Sequence, residues 1–400
     1  MSESPSYPSG FSLDTASDDH SLRKVWILSM VASIGTVVGL LIYVNALNWH
    51  NGVPLGYDSY YYVGWINQVV NSGPLQFAAS QHYVEFLYPI VASIPVYLGV
   101  SADTVEIVLP AVLACATVVA TGYLARESGD QRFAILTVAF TAGWYALFAM
   151  VADFNGNLLA FPILLTATAL LVRVANGDKT PARTIGIFLL LVGLAAASHV
   201  ETTDFFIAFW LIAFLILGVR FEPASWKQSL MMVASAGVVS SPFTFAYFQG
   251  VSNGLGGQYC VYPPYWLRVF GPAAALAVIG IGVAAWRYKA PGLKGHYARL
   301  LLSWSALAIG IGVLGYVTSF PIVLSDRSLM LLPLPLVSAL GGLWLMTNSS
   351  KVRSYSQTRL FAILAVGVPL LVGTLVFAYS APAFAYFTSH GPSFVTCATK

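Results

Sequence analysis

The stretch GYDSYYYVGW, Gly56 to Trp65, places one carboxylate, Asp58, ahead of three tyrosines, Tyr60, Tyr61 and Tyr62. Further along, ADFNGN carries Asp153 and Asn157, and SHVETTD carries His199, Glu201 and Asp204. LSDRS adds Asp326 and Arg327, and Arg268 follows YCVYPPYW. A carboxylate can take a proton from a nucleophile or hold a hard cation, and a guanidinium can clamp an anion. Each group also has a plain structural use. Asp58, Asp153, Asp204 and Asp326 each stand near the start of an anticipated helix, where a carboxylate caps N–H groups and suits the positive dipole end. His199 could be a hydrogen-bonded loop histidine, and the tyrosines could be interfacial anchors. Which use holds depends on where the surrounding elements put these side chains.

Those elements belong in a membrane. Hydrophobic residues make up 58% of the 400 and charged residues 9%, with a mean hydropathy of +0.75. Soluble domains carry roughly 25% charged residues. The expected fold is therefore all-α: a polytopic transmembrane helical bundle. Residues 1–22 are polar and rich in Ser, Pro and Asp, which predicts a disordered N-terminal segment. It lacks the basic start of a cleaved signal peptide, so the first apolar segment is expected to remain as a span. Eleven spans are read at 25–47, 104–125, 133–151, 157–174, 184–198, 205–219, 229–248, 266–286, 300–319, 328–346 and 360–381. The apolar stretch 86–100 has two prolines and falls short of the roughly 20 residues that a crossing takes.

The positive-inside rule decides how 86–100 is placed. With that stretch outside and the N-terminus in the cytoplasm, 16 of the 19 Lys and Arg fall inside. If it crossed, everything after it would flip and only five would be inside. So 48–103 is expected to be a long first external loop. Within it, DSYYYVGWINQVV reads as a helix lying at the interface and 86–100 as a re-entrant or interfacial helix. The outer face then gathers Asp58, Glu85, Asp103, Glu106, Asp153, His199, Glu201, Asp204 and Asp326, and ionisable groups held close to a membrane point to a functional site. Arg327, a basic residue sorted against nearly all the others, points to a specific anionic partner, and Arg268 raises the same question beside an interfacial snorkelling role. Of the three cysteines, Cys115 is expected in a span, while Cys260 and Cys397 fall outside, where an oxidising exterior would permit a disulfide.

Taken together, order and sidedness resemble the GT-C superfamily of membrane glycosyltransferases, which includes oligosaccharyltransferase catalytic subunits, protein O-mannosyltransferases and aminoarabinose transferases. GYDSYYYV at 56–63 looks like that group's first-loop carboxylate motif, and YPIVASIPVYLGV at 88–100 like the proline-bearing helix that ends the loop. PAVLACATVVATGYLARESGDQRFAILTVAFTAG at 110–143 looks like the next two spans and their tight turn. ADFNGNLLAFPILL at 152–165 stands in the place of the second acidic motif, with Asp153 and Asn157 the matching polar positions. LSDRSLMLLPLPL at 324–336 looks like a late motif in which an Arg meets a lipid phosphate.

The resemblance implies sugar transfer from a polyprenyl-phosphate-linked donor to an acceptor at the outer face of a plasma membrane. Asp58 would be the catalytic carboxylate and Arg327 the phosphate clamp, with Arg268 a further substrate contact. Asp153, Asn157, His199 and Glu201 could hold sugar hydroxyls. Asp58, Asp153 and Glu201 are the candidate ligands of a divalent cation, Mg or Mn. Tyr60 and Tyr61 could stack on the sugar or seal the cavity. Membrane lipid is the expected surrounding and no nucleic-acid partner is expected. The transmembrane unit is expected over 23–382, with 383–400 as a short external tail. The second motif carries one acid where oligosaccharyltransferases have a pair, and no WWD-type motif or following soluble domain is read, which points away from a protein-glycosylating enzyme. Two other readings stand beside this one. A lipid or sugar transporter would call for mid-span charges, broken helices and internal repeats, of which the sequence shows little. A non-catalytic polyprenyl-phosphate-binding relative would share the motifs.

Overall fold

The computed structural model describes residues 16–48, 59–81, 85–144, 147–148, 150–151, 155–177, 181–216, 226–250, 273–290, 292–317, 331–349 and 357–390. Among them are fourteen α-helices and no strand. In chain order these are α1 (Ala16–Asn48), α2 (Ser59–Ser72), α3 (Pro74–Ser80), α4 (Leu87–Tyr97), α5 (Ala102–Arg126), α6 (Gln131–Thr141) and α7 (Asn155–Ala175). There follow α8 (Pro181–Ser198), α9 (Val200–Leu211, continued by a π-helical turn over Ile212–Ile216), α10 (Trp226–Gly250), α11 (Ala273–Arg287), α12 (Gly292–Val317), α13 (Leu334–Asn348) and α14 (Gln357–His390). By length and composition six of these, α1, α5, α7, α10, α12 and α14, are long and apolar enough to cross a membrane, while α4, α8, α11 and α13 are shorter apolar helices.

The anticipated interfacial elements are helical. The tyrosine run becomes α2 and the proline-bearing stretch becomes α4, whose 11 residues rise only about 16 Å, too little for a crossing. Between them, Gly73 at φ 86 breaks the chain and Pro74 opens the short α3, which the sequence reading did not anticipate. Helix α1 begins at Ala16 rather than after residue 22. At the other terminus α14 runs to His390, past the expected boundary at 382, through the mostly apolar AFAYFT.

Side-chain bonds set the direction of each helix. Ser29 and Ser33 of α1 donate to the carbonyls of Ile135 and Val138 in α6, at 3.0 and 2.9 Å, so these two helices run parallel. Ser21 meets Thr358, and Thr36 lies against Gly373, which adds α14 to the same set. Helices α5, α7 and α9 form the opposite set. Glu106 pairs with Asn155 and Glu127 with Arg173, while Asn157 pairs with Thr202 and Thr168 with Trp210. Packed against α8 and α9, α10 runs antiparallel to α9, with Thr244 on Asp204 and Tyr247 on Glu201. The centre is aromatic: Phe161, Phe206, Phe209, Trp210 and Trp304 interlock, Phe209 and Trp304 stacking at 4.7 Å.

This arrangement sorts the charges. Arg126 and Arg173 end α5 and α7, and Arg132, Arg183, Lys227 and Arg359 open α6, α8, α10 and α14, so all six gather at one end of the bundle. Glu85, Glu106, Glu201 and Asp204 gather at the other, where α5, α7 and α9 begin.

Candidate functional site

At the acidic end the first turns of five elements meet. Helix α2 buries Ser59, Tyr62, Ile66 and Val69, a spacing of three to four residues that turns one stripe inward. Tyr62 is therefore the tyrosine that enters the bundle. Its hydroxyl accepts a hydrogen bond from the backbone N–H of Gly156 at 3.3 Å, at the start of α7. Its ring packs edge-on against Tyr88 of α4, 4.9 Å between centroids, and against Trp65. Tyr88, fully buried, donates its hydroxyl to Glu106 Oε2 at 2.8 Å, and Asn155 donates its amide to Glu106 Oε1. Burial and the neighbouring Glu106 carboxylate push the Tyr88 phenol well above its ordinary pKa, which keeps it a donor.

Gly156 has no room to grow: an added Cβ would lie 3.0 Å from the Ser198 carbonyl and 3.7 Å from the Tyr62 hydroxyl. That carbonyl ends α8, and the next residue, His199, caps α9. His199 Nδ1 accepts from the backbone N–H of Thr202 at 3.2 Å, which leaves the ring proton on Nε2. Nε2 then donates to Glu85 Oε1 at 3.1 Å. Glu85 itself adopts φ 50, a left-handed conformation uncommon for a residue with a side chain, so a sterically restricted backbone delivers this carboxylate to His199. Asn157 donates to Thr202 Oγ1 at 3.1 Å, which joins α7 to the same cap. On the far side of α9, Glu201 accepts from Tyr247 and Asp204 accepts from Thr244 at 3.0 Å.

The anticipated site residues are therefore distributed as follows. Asn157, His199 and Glu201 lie at one end of the bundle, the first two within a single hydrogen-bonded group around Thr202. Tyr60 and Tyr61, just before the inward Tyr62, lie on the exposed face of α2, 60% and 53% exposed. Asp58, Asp153, Arg268 and Arg327 lie outside the described residues, as do Cys260 and Cys397. Cys115 is a free thiol on α5. Asp58 directly precedes α2, and Asp153 stands two residues before α7. Among the described residues no three His, Cys, Asp or Glu side chains are grouped to take a metal.

No family model matches the chain, and no curated protein matches it in sequence. Solved structures do match it in shape. The fold resembles that of an archaeal oligosaccharyltransferase. The apo crystal structure of the enzyme from Archaeoglobus fulgidus aligns over 92% of this chain at 13% identity, with a TM-score of 0.57. A structure of AglB from the same organism, in complex with an inhibitory peptide and a dolichol-phosphate, aligns over 92% at 14% identity and a TM-score of 0.56. A third, a complex with Zn and sulfate, aligns over 89% at 16% and 0.54. The chain spans little more than half of these relatives, 57%, 56% and 53% of their lengths. The all-α polytopic architecture anticipated from the sequence is the one found, and its shape is similar to these oligosaccharyltransferase structures.

Sequence reasoning grouped Glu85 and Glu106 with His199 and Glu201 but gave them no role, and it passed over Asn155 and Tyr88. One signal was present. Glu106 stands in VEIVLPAVL, an acid set inside an apolar helix, which is costly unless it is paired. Nothing local announces that its partners come from α4 and α7.

Proposed function

We propose that this protein is a membrane glycosyltransferase that moves a sugar from a polyprenyl-phosphate-linked donor to an acceptor at the outer face of the plasma membrane. The observation that carries the reading is the oligosaccharyltransferase-like fold over 92% of the chain. The gathering of polar side chains at the end of the bundle where α2 and α7 begin adds support. One of the similar structures was solved with a dolichol-phosphate, which suits a lipid-linked donor here.

In this mechanism Asp58 takes the proton of the acceptor nucleophile, on the face of the sugar opposite the leaving phosphate. Arg327 takes up the charge of the departing phosphate, with Arg268 a further substrate contact; a planar fork matches its oxygens better than an ammonium would. Asp153, Asn157, His199 and Glu201 hold sugar hydroxyls. His199 can do so only from its carbon edge or after giving up the Glu85 bond, because both ring nitrogens are engaged. The exposed Tyr60 and Tyr61 lie at the interface beside the lipid carrier. Asp58, Asp153 and Glu201 offer the hard oxygen ligands that Mg or Mn takes, and such an ion would supply further positive charge at the phosphate.

The test is transfer by purified protein in vesicles from polyprenyl-phosphate-linked sugars labelled in the sugar. Label appearing in a new product supports the reading. Label that crosses the bilayer with the donor intact marks a transporter, and donor binding with neither marks a non-catalytic relative. Sidedness is checked separately with a cysteine introduced at position 129, in the α5–α6 turn. It is expected to resist an impermeant label in intact cells.

A further inference from the structure

Glu106 is a buried carboxylate with no cation among its described partners. A buried charge held only by neutral donors is expensive, and a helix needs no such residue to pack. Its contacts close a ring. Oε2 takes the Tyr88 hydroxyl; the Tyr88 ring packs on Tyr62; the Tyr62 hydroxyl takes the Gly156 N–H; and Asn155, the neighbour of Gly156, returns to Oε1. Two chain segments enter this ring from outside. One is the first turn of α2, which continues directly from Asp58. The other is the first turn of α7, which continues from Asp153 after one intervening residue.

We propose that Glu106 is a positioning residue: through Tyr88 and Asn155 it fixes relative to each other the first turns of α2 and α7, the helices that follow Asp58 and Asp153 in the chain, an assignment that rests on the transfer reading above. Reacting groups must be held within a fraction of an ångström, and a misplacement of about 1 Å can cost roughly 100-fold in rate. The ring supplies this placement without contributing an atom to the reaction. The demand on Glu106 is for two acceptor or donor positions in the right places rather than for charge. Glutamine can meet it: its carbonyl accepts from Tyr88, and its amide donates to Asn155 Oδ1 once the Asn155 amide turns over. That Oδ1 is buried and has no hydrogen-bond partner among the described residues.

The experiment uses the full chain in lipid nanodiscs and compares wild type with Glu106→Ala, Glu106→Gln and Tyr88→Phe. Hydrogen–deuterium exchange is followed over 56–66 and 152–160, and sugar transfer is measured on the same samples. Glu106→Ala is expected to exchange faster in both segments, with α12 and α14 unchanged. Its turnover should fall about 100-fold with little change in donor KM. Tyr88→Phe, which deletes one hydroxyl and keeps the ring contact, should move in the same direction by less and covers the case in which Glu106→Ala does not fold. Glu106→Gln should restore both readouts to within a few-fold of wild type. Unchanged exchange in both segments for Glu106→Ala and Tyr88→Phe overturns the proposal, whatever the protein catalyses. A Glu106→Gln variant with native exchange and turnover as low as Glu106→Ala also overturns it, because charge and not placement would then be the requirement. If wild type transfers no sugar, the functional reading fails, and the exchange arm still decides whether the ring holds the two segments.

Discussion

Helices α5 and α7 are bridged twice, with nearly the same side chains and opposite surroundings. At the acidic end Glu106 takes a tyrosine hydroxyl and an asparagine amide, all three buried. At the basic end Glu127 takes Arg173, which also reaches the Tyr123 hydroxyl and lies over its ring. The Arg173 side chain is 40% exposed and Glu127 18%. The basic bridge is a charged pair at the bundle's edge, where water and headgroups weaken its attraction and would also stabilise its members apart. The acidic bridge has no such alternative. Its groups lose hydrogen bonds outright when a partner goes. Two bridges of one design therefore differ in what they demand. The basic bridge tolerates change, and the acidic bridge fixes the first turns of α2 and α7.

The sharpest way to break this comparison is to delete each acid in turn. Glu106→Ala strands the Tyr88 hydroxyl and the Asn155 amide and should lower stability by about 2–5 kcal/mol. A titration with SDS against detergent-solubilised protein reads this as a shifted midpoint. Gly156→Ala comes next, at about 1–3 kcal/mol, because the new methyl presses on the Ser198 carbonyl, whose position is set by the junction of α8 and α9. It should also weaken the Tyr62 bond, visible as faster amide exchange at the start of α7. His199→Ala removes the cap of α9 and the Glu85 contact together, for about 0.5–2 kcal/mol in the same titration. Glu127→Ala, the counterpart of the first change, should cost less than about 1 kcal/mol. Equal losses for Glu106→Ala and Glu127→Ala would mean that burial does not separate the two bridges.

Much of the frame was readable in the chain. Composition fixed an all-helical bundle, and two prolines in a short apolar stretch marked α4 as an element that does not cross. Counting Lys and Arg by side anticipated the sorting seen along α5 to α10, since each crossing reverses the chain and carries its terminal charges with it. The site was legible only in part. Three consecutive tyrosines look alike in sequence, yet a helix turns 100° per residue, so only Tyr62 faces inward while Tyr60 and Tyr61 do not. His199 was legible as a loop histidine, but its use of both nitrogens depends on Glu85, more than 100 residues earlier. The Glu106 ring joins α2, α4, α5 and α7. No local spacing encodes contacts made across four elements, which is why an acid in an apolar helix could be noticed and its partners could not.

The central claim is that the acidic end transfers a sugar with Asp58 as base. The most direct measurement is turnover of Asp58→Asn beside wild type, on a polyprenyl-phosphate-linked sugar, with folding and donor binding measured on the same preparations. Asparagine keeps the size and a capping oxygen but cannot take the proton. Loss of the base should slow transfer roughly 100-fold or more while folding and donor binding are preserved. A variant that transfers at close to the wild-type rate would reduce Asp58 to a helix cap and contradict the account.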